Sequence, residues 1–253
     1  MKILPGVQIW SLRNLISDNA AAVFKKLATT GYTFIEPAGF NLEDRTIQGF
    51  SPKELRTLAG HQGLKIYSGH FQFLPEDTHA VCECAAEAGM QYIVCSYLRE
   101  EQKVSIESYK AAADELNEVG ALVKMYDLQL VYHNHAYEFD RLNGEIPFNL
   151  LLKNTDPQNV VFQPDLGWMV YANQSPVDYF DQYPGRFPLW HLRDIDAGTG
   201  ASTTVGKGMV DFVTIFKKKA LAGLKYPVIE VASGVDDPLQ KITQSFSFVQ
   251  NRL

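Results

Sequence analysis

Four of the six histidines, His70, His133, His135 and His191, stand in or at the ends of short apolar runs. Three carboxylates share that setting. Glu230 lies between Val228-Ile229 and Val231, Asp165 closes VVFQPD, and Glu36 closes the β-prone run TFIEP. A charge inside an apolar strand is costly unless it is paired or bound to a metal. Taken singly, each residue also fits a plainer role, a carboxylate capping a loop or a hydrogen-bonded core histidine. Together, carboxylate oxygens and imidazoles make a donor set for one divalent ion. Mixed O/N donors suit Mn²⁺ or Zn²⁺ foremost, with Fe²⁺ or Co²⁺ as alternatives, better than they suit Mg²⁺. An ion holding a carbonyl and a neighbouring hydroxyl makes the α-proton acidic enough for a carboxylate or imidazole base near neutral pH. Glu230, His133 and His135 are the candidate bases.

Such residues need a scaffold that gathers them. Eight runs read as strands: 7–12, 33–37, 64–70, 92–97, 128–135, 160–165, 188–194 and 227–231. Between them lie windows with apolar residues at i, i+3 and i+4, at 19–29, 52–61, 78–88, 105–125, 147–153, 176–183, 210–222 and 237–250. Strands without strict alternation suit a parallel sheet buried on both faces. Strand then helix, eight times over, predicts a single (β/α)₈ TIM barrel spanning residues 1–253. An open doubly wound sheet is the alternative, but no G-x-G-x-x-G follows the first strand.

A barrel places its catalytic groups at the C-terminal strand ends. Asp165, His191 and Glu230 fall on strands 6, 7 and 8, so closure brings them to one mouth. The fourth ligand is expected from strand 5, either His133 or Glu138. Spacing does not choose between them, and the other is left for substrate or acid–base work. Glu36 and His70 are expected to touch substrate from the opposite side. Arg193 either stabilises an anion or pairs with Asp194 or Glu36. Trp168, Tyr171 and Trp10 offer aromatic faces to a sugar ring or pack in the core. Gly206 and Gly208 permit close backbone approach, a weak phosphate-loop signal, and Lys207 between them either reaches the mouth or is solvated.

Lys and Arg number 23 against 29 Asp and Glu, a net charge of −6, which argues against a nucleic-acid partner. With 46% hydrophobic residues the chain has ample core material. No run approaches the 18 or so apolar residues of a membrane span. Cys82, Cys84 and Cys95 are too few for a disulfide framework and fit a reducing compartment. A cytoplasmic location is expected, or the periplasm if a leader has been removed. Trp190, Phe246 and Phe248 serve either the core or an interface between copies of the chain.

The motifs GVQIWSLR, GYTFIEPAG, YHNHAYEF, TDPQNVVFQPDLGWMVYAN, LWHLRD, VGKGMVDF and VIEVA, in this order, resemble the xylose isomerase-like TIM barrels, the sugar phosphate isomerases/epimerases. The match spans nearly the whole chain. It implies one divalent metal held by a strand-5 residue, Asp165, His191 and Glu230. It implies a sugar isomerase or epimerase acting on a ketose or keto-sugar, phosphorylated or not. Related epimerases use two metal-bound carboxylates on opposite faces of the substrate. This chain departs from them with His133 at the end of strand 5. The YHNH branch also resembles enzymes that dehydrate or β-eliminate 3-keto sugars, 3-keto-glycosides or keto-inositols, which is the alternative activity. Abasic-site endonucleases share the barrel but hold three zinc ions, which calls for more ligands than this chain offers. A non-catalytic sugar-binding barrel would hold no metal, or hold one without turnover.

Overall fold

The computed structural model describes residues 3–232 and 234–253. Eight parallel strands form its centre. They are β1 (Gly6–Gln8), β2 (Phe34–Glu36), β3 (Lys65–Ile66 continuing as Ser68–Phe71), β4 (Tyr92–Cys95), β5 (Gln129–His133), β6 (Val160–Gln163), β7 (Leu189–Leu192) and β8 (Tyr226–Ile229). One ladder runs β7-β8-β1-β2 to the first half of β3, and the other runs from its second half through β4, β5 and β6. The ladders join where β3 passes from one to the other. They join again where Asp165 bridges His191, with the His191 N–H donating to Pro164 O at 2.9 Å. The expected TIM barrel is therefore closed.

The strands are short and almost wholly buried, as parallel strands covered by helices must be. The helices are α1 (Arg13–Thr30), α2 (Pro52–His61), α3 (Thr78–Ala88), α4 (Ile106–Lys124), α5 (Pro147–Asn154), α6 (Leu166–Tyr171), α7 (Pro176–Gln182), α8 (Phe212–Phe216), α9 (Lys219–Ala222) and α10 (Pro238–Val249). Helix α2 starts as its sequence predicts, with Ser51 and Glu54 in a reciprocal capping box and Pro52 at the first turn.

Three helical windows differ from expectation. Helix α1 begins at Arg13, but it breaks at Asn19 (φ −160°, ψ 82°), whose Oδ1 accepts the Ala22 N–H at 3.0 Å. The expected window 19–29 thus corresponds to the second segment, with Asn19 at its start. The window 210–222 splits into α8 and α9. Helix α6 has no counterpart in the sequence reading, because its six residues are too few for a periodic pattern. Trp190 is buried and stacked on Phe180 at 4.6 Å, and Phe246 packs edge-on to Tyr32, so both serve the core. No helix among the described residues is long and apolar enough to cross a membrane.

Candidate metal centre and active-site cleft

The register sets the floor of the mouth. Gln8 pairs with Glu36, His133 with Gln163, and His191 with Val228, so Glu230 follows one residue beyond the β7–β8 ladder. His133, Asp165, His191 and Glu230 each present a ligand atom, all within 4.8 Å of one another. They come from four consecutive strand ends, β5 to β8.

The donor atoms fit an ion. His133 Nδ1, His191 Nδ1 and Glu230 Oε2 are buried without a hydrogen-bond partner. His191 Nδ1 and Glu230 Oε2 stand 2.5 Å apart, yet they lack the angle of a hydrogen bond. Buried polar atoms are rarely orphaned, and orphans converging from two imidazoles and a carboxylate have the chemistry of a divalent-metal ligand set. Asp165 is already oriented: Oδ2 accepts Arg193 Nε at 2.7 Å, and Oδ1 accepts the Trp168 N–H at 3.0 Å as the cap of α6. Arg193 also reaches Glu230 Oε1 at 2.7 Å. Its close approach requires Gly167, where a Cβ would stand 2.9 Å from Arg193 Cγ.

Beneath the cluster lies Glu36, fully buried. It accepts from His191 Nε2 at 2.6 Å, from Gln163 Nε2 at 3.0 Å and from the Ser68 hydroxyl, and it stands 3.2 Å from His70 Nε2. A carboxylate behind a ligating histidine fixes the tautomer and ring orientation. Burial alone would raise the Glu36 carboxyl, but His191 and His70 hold it well below the usual range. Burial opposes the charge on His191, but Glu230 and Glu36 outweigh it and raise the imidazole to about 10. Glu230 is held low against burial by Arg193 and His191. Burial drives His133 well down and His135 to about 4, so both are neutral near pH 7.

Over these groups opens a cleft of about 380 Å³, walled by Trp10, Phe40, Gln72 and Tyr97, with His135 and Glu230 at its base. The family model for the xylose isomerase-like TIM barrel matches residues 24–248. The chain belongs to the xylose isomerase-like TIM barrel family. An inosose dehydratase from Clostridium beijerinckii is 30% identical over 128 residues, 44% of this chain and 42% of that protein. The match thus spans less than half the length of that curated relative. A sugar phosphate isomerase/epimerase from Parabacteroides distasonis superposes with a TM-score of 0.86 at 26% identity, covering 99% of this chain and 94% of that one. A xylose isomerase-like TIM barrel protein from Mycobacterium smegmatis, solved in complex with magnesium, superposes with a TM-score of 0.70 at 16% identity over 99% and 96% of the two chains.

In this xylose isomerase-like barrel the remaining expected residues fall as follows. His133 joins the donor cluster and Glu138 does not. The Glu138 carboxylate is buried against β5, accepting the Tyr132 hydroxyl and the His135 N–H, each at 2.8 Å. Glu36 lies under the site instead of facing substrate, since its three hydrogen bonds and the neighbouring His70 ring consume it. His70 does line the cleft, with Nε2 also 2.8 Å from Gln163 Oε1. Arg193 pairs with Asp165 and Glu230, not with Asp194 or Glu36. Trp168 is half-buried under the Arg193 guanidinium at 5.3 Å. Lys207 is exposed and donates to Gln244 Oε1 at 3.2 Å, on the outside of the barrel beside α10. Ser68 and Gln163 were missed. Gln163 carried a signal: a polar amide after VVF is as anomalous as Glu230 after VI.

Proposed function

We propose that this chain is a divalent-metal-dependent enzyme that dehydrates a keto sugar or keto cyclitol. It removes the proton α to the carbonyl and expels a β-hydroxyl as water. The observation that carries this is the asymmetry of the cleft. Among the described residues that line it, the one carboxylate is Glu230, and it faces the imidazoles of His70, His133 and His135. Asp165 and Glu36 are sealed below, and Glu138 is turned away. An epimerase with carboxylates on both faces would need its second one where β5 ends in His133. Dehydration uses unlike partners, a base for the carbon-bound proton and a donor for the departing oxygen. The similarity to an inosose dehydratase supports the same reaction type.

His133, Asp165, His191 and Glu230 would hold the ion. A divalent ion there supplies polarisation of the substrate carbonyl. Glu230 takes the α-proton while Arg193 steadies its other oxygen. His135, neutral and next to the cleft, lends an N–H to the leaving hydroxyl. The α C–H and β C–O bonds break and a C=C bond forms; the proton taken up by Glu230 passes to the departing oxygen, which leaves as water while His135 only hydrogen-bonds to it, with no change in overall oxidation state. A second reading, isomerase or epimerase, is favoured by the likeness to the Parabacteroides protein along 99% of the chain. It uses the same proton abstraction and returns the proton.

Two experiments test this. Elemental analysis of purified wild type beside Asp165→Ala should find about one Mn, Zn, Fe, Co or Mg per chain, lost in the variant. A wild type that stays empty after dialysis against Mn²⁺ or Zn²⁺ overturns the metal dependence. NMR of the loaded enzyme with an inosose in D₂O should then show an unsaturated or diketone product. Recovery of only an isomer or epimer carrying deuterium would replace dehydration by the second reading.

A further inference from the structure

Within the function proposed above, we infer that the substrate is uncharged: the cleft is built for a sugar carrying no phosphate or carboxylate. The glycine loop and the two cations expected to receive an anion are engaged by the chain itself. The glycine loop 205–210 is a nest of backbone N–H groups, and its anion is Asp194. That carboxylate accepts from Gly206 at 2.8 Å, Gly208 at 2.8 Å, Val210 at 3.1 Å and Ile195 at 3.0 Å. A Cβ at Gly208 would fall 2.3 Å from Asp194 Oδ1, so the loop is closed tightly on that side chain. Lys207, the loop's cation, is bound to Gln244 on the outer helix. Arg193 is already paired with two carboxylates.

The cleft wall adds no compensating charge. None of the described residues lining it is Lys or Arg, and apart from the Glu230 carboxylate its polar groups are amides, hydroxyls and imidazoles. Arg13 is the cation of the adjoining outer groove. It donates to the Trp10 carbonyl at 3.0 Å and lies over the Trp10 ring at 4.7 Å, which turns it away from the ligand cluster. The rim supplies instead an exposed indole, Trp10, suited to the apolar face of a sugar ring. The name of the Parabacteroides relative, a sugar phosphate isomerase/epimerase, would predict the opposite preference.

The test is calorimetric binding to the Mn²⁺-loaded protein, with turnover followed in parallel. The probes are an inosose, D-fructose and D-fructose 6-phosphate, each at low and high salt. At least one uncharged probe should bind with little salt dependence, and the phosphate should bind about tenfold weaker or worse. Gln72→Arg, which adds a cation to the wall, should narrow that gap. Tighter, salt-sensitive binding of the phosphate to wild type overturns the inference while leaving the proposed chemistry standing. Failure of every probe to bind a protein shown to hold its metal overturns both.

Discussion

In the proposed site Glu36 would act without touching substrate. It points His191 Nε2 inward and leaves Nδ1 aimed at the donor cluster. Glu36→Gln keeps the shape but loses an acceptor, so metal affinity should fall by about 10- to 100-fold while the fold survives. Competition with a chromogenic chelator measures this, and an unchanged affinity would remove Glu36 from the positioning role. Glu138 makes a different prediction. Burial is the main cause that pushes its carboxyl up from 4.5 to about 7, against the hydrogen bonds from Tyr132 and His135. The native state therefore holds a proton that the unfolded chain releases, and stability falls as pH rises through that window. Relative to Glu138→Gln, wild type should lose on the order of 3 kcal/mol between about pH 4.5 and pH 7, and no more above it. Thermal melts across that range test the sign; parallel curves would refute it. Such roles were only half legible. Strand-end polar residues announce themselves by breaking apolar runs, which is how Asp165, His191 and Glu230 stand out as candidates. Glu138 was misplaced because a loop residue's direction depends on a 3₁₀ turn, Tyr137–Phe139, that three residues cannot announce.

At the scale of elements, Asp165 joins two tasks, since it caps α6 through Oδ1 and also offers a ligand atom to the donor cluster. Asp165→Ala should therefore cost about 1 kcal/mol of helix capping beyond its loss of metal. The difference shows when wild type and variant are both melted in chelator. The loop after β7 makes a sharper case. Asp194→Ala strips the acceptor from four backbone N–H groups. It should destabilise the protein by on the order of 3 kcal/mol. Hydrogen exchange in residues 205–210 should accelerate, and protection equal to wild type would contradict the assignment. The glycines of this loop were visible in sequence as a place where backbone approaches an anion. The anion's identity was not, because Asp194 lies twelve residues before Gly206 and only the antiparallel pairing of Asp194-Ile195 with Ser202-Thr203 turns the chain back onto it.

For the whole molecule, the repeat of strand and helix was legible because each unit buries its own apolar face and ends in a residue suited to a turn. Boundaries shifted where tertiary contacts took over, as in the split of 210–222 into two short helices around Lys217 and Lys218. A ligand that binds only the closed barrel adds stability by mass action, about 2.7 kcal/mol at a hundredfold excess over its dissociation constant. For a chain of this size that corresponds to a rise in Tm of roughly 5–10 °C. Mn²⁺ or Zn²⁺ should produce that rise in wild type, chelator should reverse it, and Asp165→Ala should show neither. An equal shift in the variant would place the ion elsewhere.

The contacts of Glu36 also bear on how this chain finds its fold. Its partners come from both ladders, His191 from one and Ser68, His70 and Gln163 from the other. Moving any of these strands one residue along its neighbour reverses which side chains face the lumen. A barrel closed out of step would bury Glu36 bare, at a cost of several kcal/mol. The apolar runs, rich in interchangeable Val, Ile and Leu, discriminate weakly between one alignment and the next. The residues that prepare the chemistry therefore also proofread the assembly, and a variant lacking Glu36 would fold with less certainty as well as bind metal less tightly.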